Sequence, residues 1–216
     1  MAKKRYIVGI TGASGPEIGL KLAGALLEKG FEVHMAVSGQ AKNIIRDETG
    51  LDIGNTKKEA VNALARHFGN REHLFYYEST ELWAPVASGS FKTEGMFVAP
   101  CSMKSLSALA CGYAANVIER AADVCIKEGR KLIICPREMP FSPIHLENML
   151  KLAKIGVIIA PPVAAFYPGP RTIDEMTGFF VGKLLDSAGI DHDLYRRWDG
   201  QYDAGHGKRA PKRRKL

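Results

Sequence analysis

Short apolar runs alternate with amphipathic stretches from the start of this chain. Ile7-Val8-Gly9-Ile10 is an apolar run that ends in a small, hydroxyl-bearing turn, Thr11-Gly12-Ala13-Ser14-Gly15, and Pro16 to Lys29 reads as a helix. Phe31 to Val37 reads as a second strand, and Ser38 caps a helix running to about Thr49. Thr56-Lys57-Lys58-Glu59 has the spacing of a capping box and opens a helix to about Phe68. Leu74 to Tyr77 predicts a short strand and Glu78 to Ser90 a loop.

The second half repeats the alternation. Met96 to Ala99 is a short buried strand, followed by Pro100-Cys101-Ser102-Met103-Lys104-Ser105 and a helix to about Cys111. Asn116 caps a helix ending near Arg130, and Lys131 to Cys135 is a strand. Ser142-Pro143 starts another helix, with Pro at its first position. Val157 to Ala160 is the last core strand, a Pro-rich loop follows to Pro170, and Thr172 to Glu175 is a second capping box, opening a helix to about Ala188. Strands alternating with helices predict an α/β domain built on a doubly wound, mostly parallel sheet. There is no internal repeat.

Composition narrows this picture. A chain of 216 residues that is 46% hydrophobic suits one core, so residues 1–201 are read as a single domain. No apolar run approaches a membrane span, and the basic start runs straight into the first strand, unlike a signal peptide. Cys101, Cys111, Cys125 and Cys135 match no zinc or redox spacing and are read as reduced, mostly buried thiols of a cytoplasmic protein. The net charge is +7, but the acid-free tail from Lys208 to Leu216 holds six of the cations, leaving the body near +1. Residues 202–216 are therefore expected to be a disordered, solvated tail rather than a specific nucleic-acid surface.

The polar residues that matter most fall just after strands: Thr11 to Gly15, Ser38, Ser102 to Ser105, Arg137-Glu138 and Tyr167. In open α/β sheets ligands bind outside the carboxyl ends of the strands. The first turn offers backbone N–H groups at a helix N-terminus, which suits a phosphate, although Gly12-Ala13-Ser14-Gly15 lacks the dinucleotide spacing.

Taken together, these segments resemble the UbiX-like flavin prenyltransferases. The resemblance rests on Gly12-Ala13-Ser14-Gly15, Pro100 to Ser105, Arg120-Ala121-Ala122-Asp123-Val124, Lys127-Glu128, Pro136-Arg137-Glu138, Pro161-Pro162, Ala165-Phe166-Tyr167 and Trp198, in order across residues 5–201. It implies a three-layer, flavodoxin-like Rossmann sheet and a homododecamer. It also implies transfer of a dimethylallyl group from dimethylallyl phosphate to reduced FMN, giving the prenylated flavin used by UbiD-like decarboxylases.

By the same resemblance Gly12, Ala13, Ser14, Ser38, Ser102, Met103, Lys104, Ser105 and Arg137 would hold FMN. Tyr167, Lys183, Lys127 and Arg120 would bind the donor phosphate. Glu138, Ser14, Lys127, Trp198 and Glu48 would serve catalysis. The residue types suit that chemistry: cations and a hydroxyl face a departing phosphate, and an aromatic ring shields an allyl cation. Reduced flavin is itself the nucleophile, and no metal-ligand set is visible, so metal-independent transfer is expected.

Each residue also has a plainer reading. Lys127 and Lys183 lie in helical segments, where lysine is usually a solvated charge. Arg137-Glu138 suits a strand-end ion pair, Tyr167 loop packing, Trp198 a C-terminal anchor, and Glu48 its own helix. Two departures from the family stand out: Pro16-Glu17-Ile18 after the first turn, and Lys183 where the family has Arg. The segment Asp52 to Tyr77 has no match in the family pattern. The competing functions are an FMN-dependent decarboxylase of peptidyl cysteine and a non-catalytic FMN carrier attached to a decarboxylase.

Overall fold

The computed structural model describes residues 3–69 and 72–198. Six strands form one sheet: β1 (Arg5–Ile10), β2 (Glu32–Val37), β3 (Leu74–Glu78), β4 (Gly95–Cys101), β5 (Lys131–Pro136) and β6 (Ile158–Ile159). Seven helices connect or follow them: α1 (Pro16–Glu28), α2 (Gly39–Thr49), α3 (Lys57–Phe68), α4 (Met103–Cys111), α5 (Val117–Lys127), α6 (Pro143–Lys154) and α7 (Ile173–Ala188). The strand order is β3-β2-β1-β4-β5-β6 and every pairing is parallel. The expected doubly wound, three-layer architecture is thus present.

Parallel strands covered on both faces are apolar on both, and these sequences show it. In β1, Val8 and Ile10 face the layer formed by α1, α2, α3 and α7, while Ile7 faces α4, α5 and α6. In β5, Ile133 joins the first core and Leu132 and Ile134 the second. Gly19 lets α1 lie hard on β4, since a Cβ there would stand 2.1 Å from the Ala99 carbonyl oxygen.

The order reverses between β1 and β4, so the turns after these two strands meet at the switch point of the sheet. Thr11 joins them. Its buried hydroxyl donates to the Pro100 carbonyl (2.9 Å) and accepts the Ser102 N–H (2.8 Å).

Most helix starts follow their capping signals. Thr56 and Glu59 form the full box on α3. At α7 the box is only half made: Thr172 caps Glu175, but the Glu175 carboxylate takes the N–H of Arg171 instead of Thr172. On α6, His145 takes the role that Glu has in the usual box with Ser142, which gives this histidine a structural task. β6 is shorter than expected because Pro161-Pro162 cannot extend an edge ladder. Three cysteines are buried, whereas Cys111, the last residue of α4, is exposed. The expectations for residues 202–216 lie outside the described residues.

Candidate active site at the switch point

The first turn depends on two glycines. Gly15 caps α1 at φ +86°, a conformation that L side chains rarely adopt. A Cβ on Gly12 would stand 2.8 Å from Gln40 of α2, so Gly12 lets the α2 side chain lie across the turn. Ala13 is buried and its N–H returns to the Thr11 carbonyl at 2.8 Å.

Two more strand ends supply hydroxyls. The Ser38 hydroxyl accepts the Ala41 N–H at the start of α2 (3.3 Å). The Ser102 hydroxyl accepts the Ser105 N–H (3.3 Å) and donates to the Ser105 hydroxyl (3.2 Å), so both serines sit on the N-terminus of α4. Met103 is half-buried beside them and Lys104 is exposed.

A cleft of about 600 Å³ opens beside the turn, lined among others by Ser14, Glu17, Glu48, Arg137, Asp174 and Phe180. The backbone N–H of Arg137 donates to the Cys101 carbonyl (3.1 Å), tying the β5 end to the β4 end. Its Nε is buried and has no hydrogen-bond partner among the described residues. A buried donor of this kind is costly unless something in the cleft accepts from it.

Glu48 corrects the plainer expectation that it merely stabilises its own helix. Its carboxylate accepts the Gly15 N–H at 2.8 Å, so the amide that the first turn would offer a phosphate is already engaged. Glu17 adds a second carboxylate to the wall, and Asp174 a third, which is neutralised by Lys21 at 2.6 Å.

A separate group lies on another face of α7. The Tyr167 ring stands edge-on to Trp198 (centroids 5.8 Å) and to Phe179 (6.0 Å). Lys183 lies one turn beyond Phe179 on α7, with its ammonium 3.7 Å from Asp186. Asp186 accepts hydrogen bonds from His192 (3.1 Å), Tyr195 and Arg197 (2.8 Å). Burial pushes its pKa up, but bonds from Arg197 and Tyr195 and the nearby His192 outweigh this and hold it at about 2.

The remaining predicted residues are not brought to either group within one chain. Lys127 ends α5, just before the start of β5 and therefore at the amino-terminal end of the strands, opposite the cleft, and pairs with Glu128 (2.8 Å). Arg120 pairs with Asp123 (3.0 Å) on α5, in the layer across the sheet from α7. Glu138 is exposed, its carboxylate accepting the N–H of Met139 (3.1 Å). The sequence reading also missed two residues, Gln40 and Asp186. Thr11 was legible as a hydroxyl just past a strand, whereas nothing local marked Gln40 or Asp186, whose partners come from other elements.

The flavoprotein family model matches residues 1–181. The flavin prenyltransferase UbiX of Methanocaldococcus jannaschii is 46% identical over 194 residues, covering 90% of this chain and 98% of that protein. The dodecameric FMN-dependent UbiX-like decarboxylase from Escherichia coli O157:H7 superposes with a TM-score of 0.80 at 43% identity, covering 91% of this chain and all of the other. The crystal structure of AnUbiX in complex with FMN and dimethylallyl pyrophosphate gives a TM-score of 0.82 at 37% identity, covering 93% and 100%. With its sequence matched along nearly its whole length and its fold superposing on theirs, this chain belongs to the flavoprotein family and, within it, to the UbiX-like flavin prenyltransferases.

Proposed function

We propose that this protein transfers a dimethylallyl group from dimethylallyl phosphate to reduced FMN, releasing phosphate and supplying prenylated FMN to a UbiD-like decarboxylase. The observation that carries the reading at the level of the site is the buried, unpartnered Nε of Arg137, a residue that lines the cleft at the switch point. The residues present fit FMN: Gly12 and Gly15 add no side chain of their own to the turn, Ser102 and Ser105 sit at the start of α4, and Arg137 offers the unpaired donor.

Reduced FMN supplies the nucleophile, so the chain need not. Its own residues orient and neutralise. Arg137 and the serine run Ser102 to Ser105, with Met103 and Lys104, would hold the flavin together with Gly12, Ala13, Ser14 and Ser38. Tyr167 and Lys183 meet the donor phosphate as the allylic C–O bond breaks, and Trp198 presents a ring to the developing cation. Ser14 and Glu48, which line the cleft, would relay a proton to the departing phosphate, and Glu138, next to the cleft residue Arg137, would join them from its exposed position. Glu48 is suited to this because its carboxylate is already aimed at the first turn by the Gly15 amide.

Lys127 and Arg120 reach a donor bound near Tyr167 only from a neighbouring copy of the chain. We therefore place them in a homo-oligomer, a dodecamer by likeness to the Escherichia coli relative, in which subunit contacts complete the donor site.

The test is a mass spectrum of the flavin released after anaerobic incubation of reduced protein with dimethylallyl phosphate. A gain of one C5H8 unit is expected, and unchanged FMN overturns the reading. In the same assay Lys127→Ala is expected to lower donor use roughly tenfold or more while FMN affinity stays within about twofold. Equal loss of both would remove Lys127 from the donor site.

A further inference from the structure

The last described stretch of the chain, residues 190–198, returns along α7 as a strap. Ile190 is buried at its start, and the His192 side chain is only 1% exposed. Two glycines of α7, Gly178 and Gly182, make room for it. A Cβ on Gly182 would stand 2.5 Å from the Tyr195 ring and 2.7 Å from His192, and one on Gly178 would stand 3.3 Å from the Leu194 carbonyl oxygen. The Tyr195 ring packs on Phe179 at 4.8 Å, and Phe179 in turn meets Tyr167.

One carboxylate ties this strap down. Asp186 accepts from three strap residues, His192, Tyr195 and Arg197, and Arg197 directly precedes Trp198. An exposed surface pair contributes little to order, but here several charge-assisted bonds converge on a side chain that is only 22% exposed. The strap donors engage both oxygens, and the Lys183 ammonium stays 3.7 Å away, beyond a hydrogen bond.

We infer that Asp186 is a positioning residue for the donor end of the site: by clamping the strap to α7 it holds Trp198 edge-on against Tyr167. This rests on the roles proposed above for Tyr167 and Trp198. Asp186 touches neither ring, so it acts through Tyr195 and Arg197.

The chain has two tryptophans, so a Trp83→Phe background makes Trp198 the sole reporter. In that background Asp186→Ala is expected to make Trp198 emission red-shifted and more readily quenched by acrylamide. The kcat/KM for dimethylallyl phosphate should fall roughly tenfold, in kcat as well as KM because Trp198 faces the developing cation, while FMN affinity stays within about twofold, and Asp186→Glu should recover part of the loss. Should Asp186→Ala fail to fold, the double variant Tyr195→Phe/Arg197→Gln releases the strap from the other side and must give the same pattern. Unchanged Trp198 fluorescence in the folded variant overturns the clamp. So does FMN affinity falling in step with donor use, because that marks a general loss of structure. A wild-type protein that makes no prenylated FMN breaks the proposed function instead, and the fluorescence then still decides whether Asp186 holds the strap.

Discussion

Arg137 and His34 each carry a buried nitrogen without a hydrogen-bond partner among the described residues, and they differ in everything around it. Arg137 stands at the carboxyl end of β5 and lines a cleft. His34 lies within β2, stacked on Phe75 (4.8 Å) and edge-on to Phe91 (5.0 Å), with its Nδ1 on the Tyr77 hydroxyl (3.0 Å). Its Nε2 lies 3.8 Å from Glu32, too far for a hydrogen bond. Burial drives the His34 pKa down to about 4, which Glu32 only partly opposes, so the ring is neutral and acts as one more aromatic of the core. An orphaned polar atom is therefore not in itself a ligand site. It becomes one where it retains charge and opens on concave space.

Three experiments press on this contrast, beginning with the largest effect. Arg137→Ala should weaken FMN binding roughly 100-fold, the loss of a charge-assisted anion contact, while thermal stability changes little. Titration of the apoprotein with FMN measures it. If affinity is unchanged and Tm falls, the Arg137 guanidinium is structural and the contrast collapses.

The second concerns His34. The folded state holds this ring neutral to about pH 4, whereas the unfolded chain binds a proton near pH 6.5. Between those values the unfolded state binds more protons, so stability falls as pH drops. The loss from pH 7 to pH 5 is about 2 kcal/mol at the one residue. Denaturant melts across that range should show it, His34→Phe should flatten it, and FMN affinity should not follow. A pH slope identical in wild type and variant would mean that His34 is not the titrating group.

Thr11 joins the two behaviours, being both buried and at the rim of the site. Thr11→Val removes the acceptor of the Ser102 N–H and the donor to the Pro100 carbonyl, at a cost of about 1–2 kcal/mol. FMN affinity should also drop, by a few-fold, because the β1 and β4 turns lose their register. Loss of stability with no change in FMN affinity would show that the two turns need no tether to bind flavin.

Much of the molecule could be read before folding was considered. The apolar runs of β1, β4 and β5 and the caps Ser38, Thr56, Asn116 and Ser142 are local signals, and each of these helices starts where its cap says. Most of the residues proposed to hold flavin were legible as a cluster because they follow strand ends directly, where a parallel sheet must deliver them. The donor-side residues were legible only through resemblance. Nothing in the spacing of Lys127, Lys183 and Tyr167 says that the first lies at the amino end of the strands while Lys183 lies on α7 and Tyr167 in a loop packed against it.

What the chain's local pattern dictates is thus the succession of strands and helices, because hydrophobic period and capping act over a few residues. The reach of Glu48 to Gly15, the crossing of Gln40 over Gly12 and the convergence of three strap residues on Asp186 join segments 6 to 33 residues apart or bring separate elements together. Such contacts depend on helix placement over the sheet, which close packing at Gly19, Gly178 and Gly182 decides. Only the folded chain makes a site of them, since a hydrogen bond acts over about 3 Å and sequence separation carries no such distance.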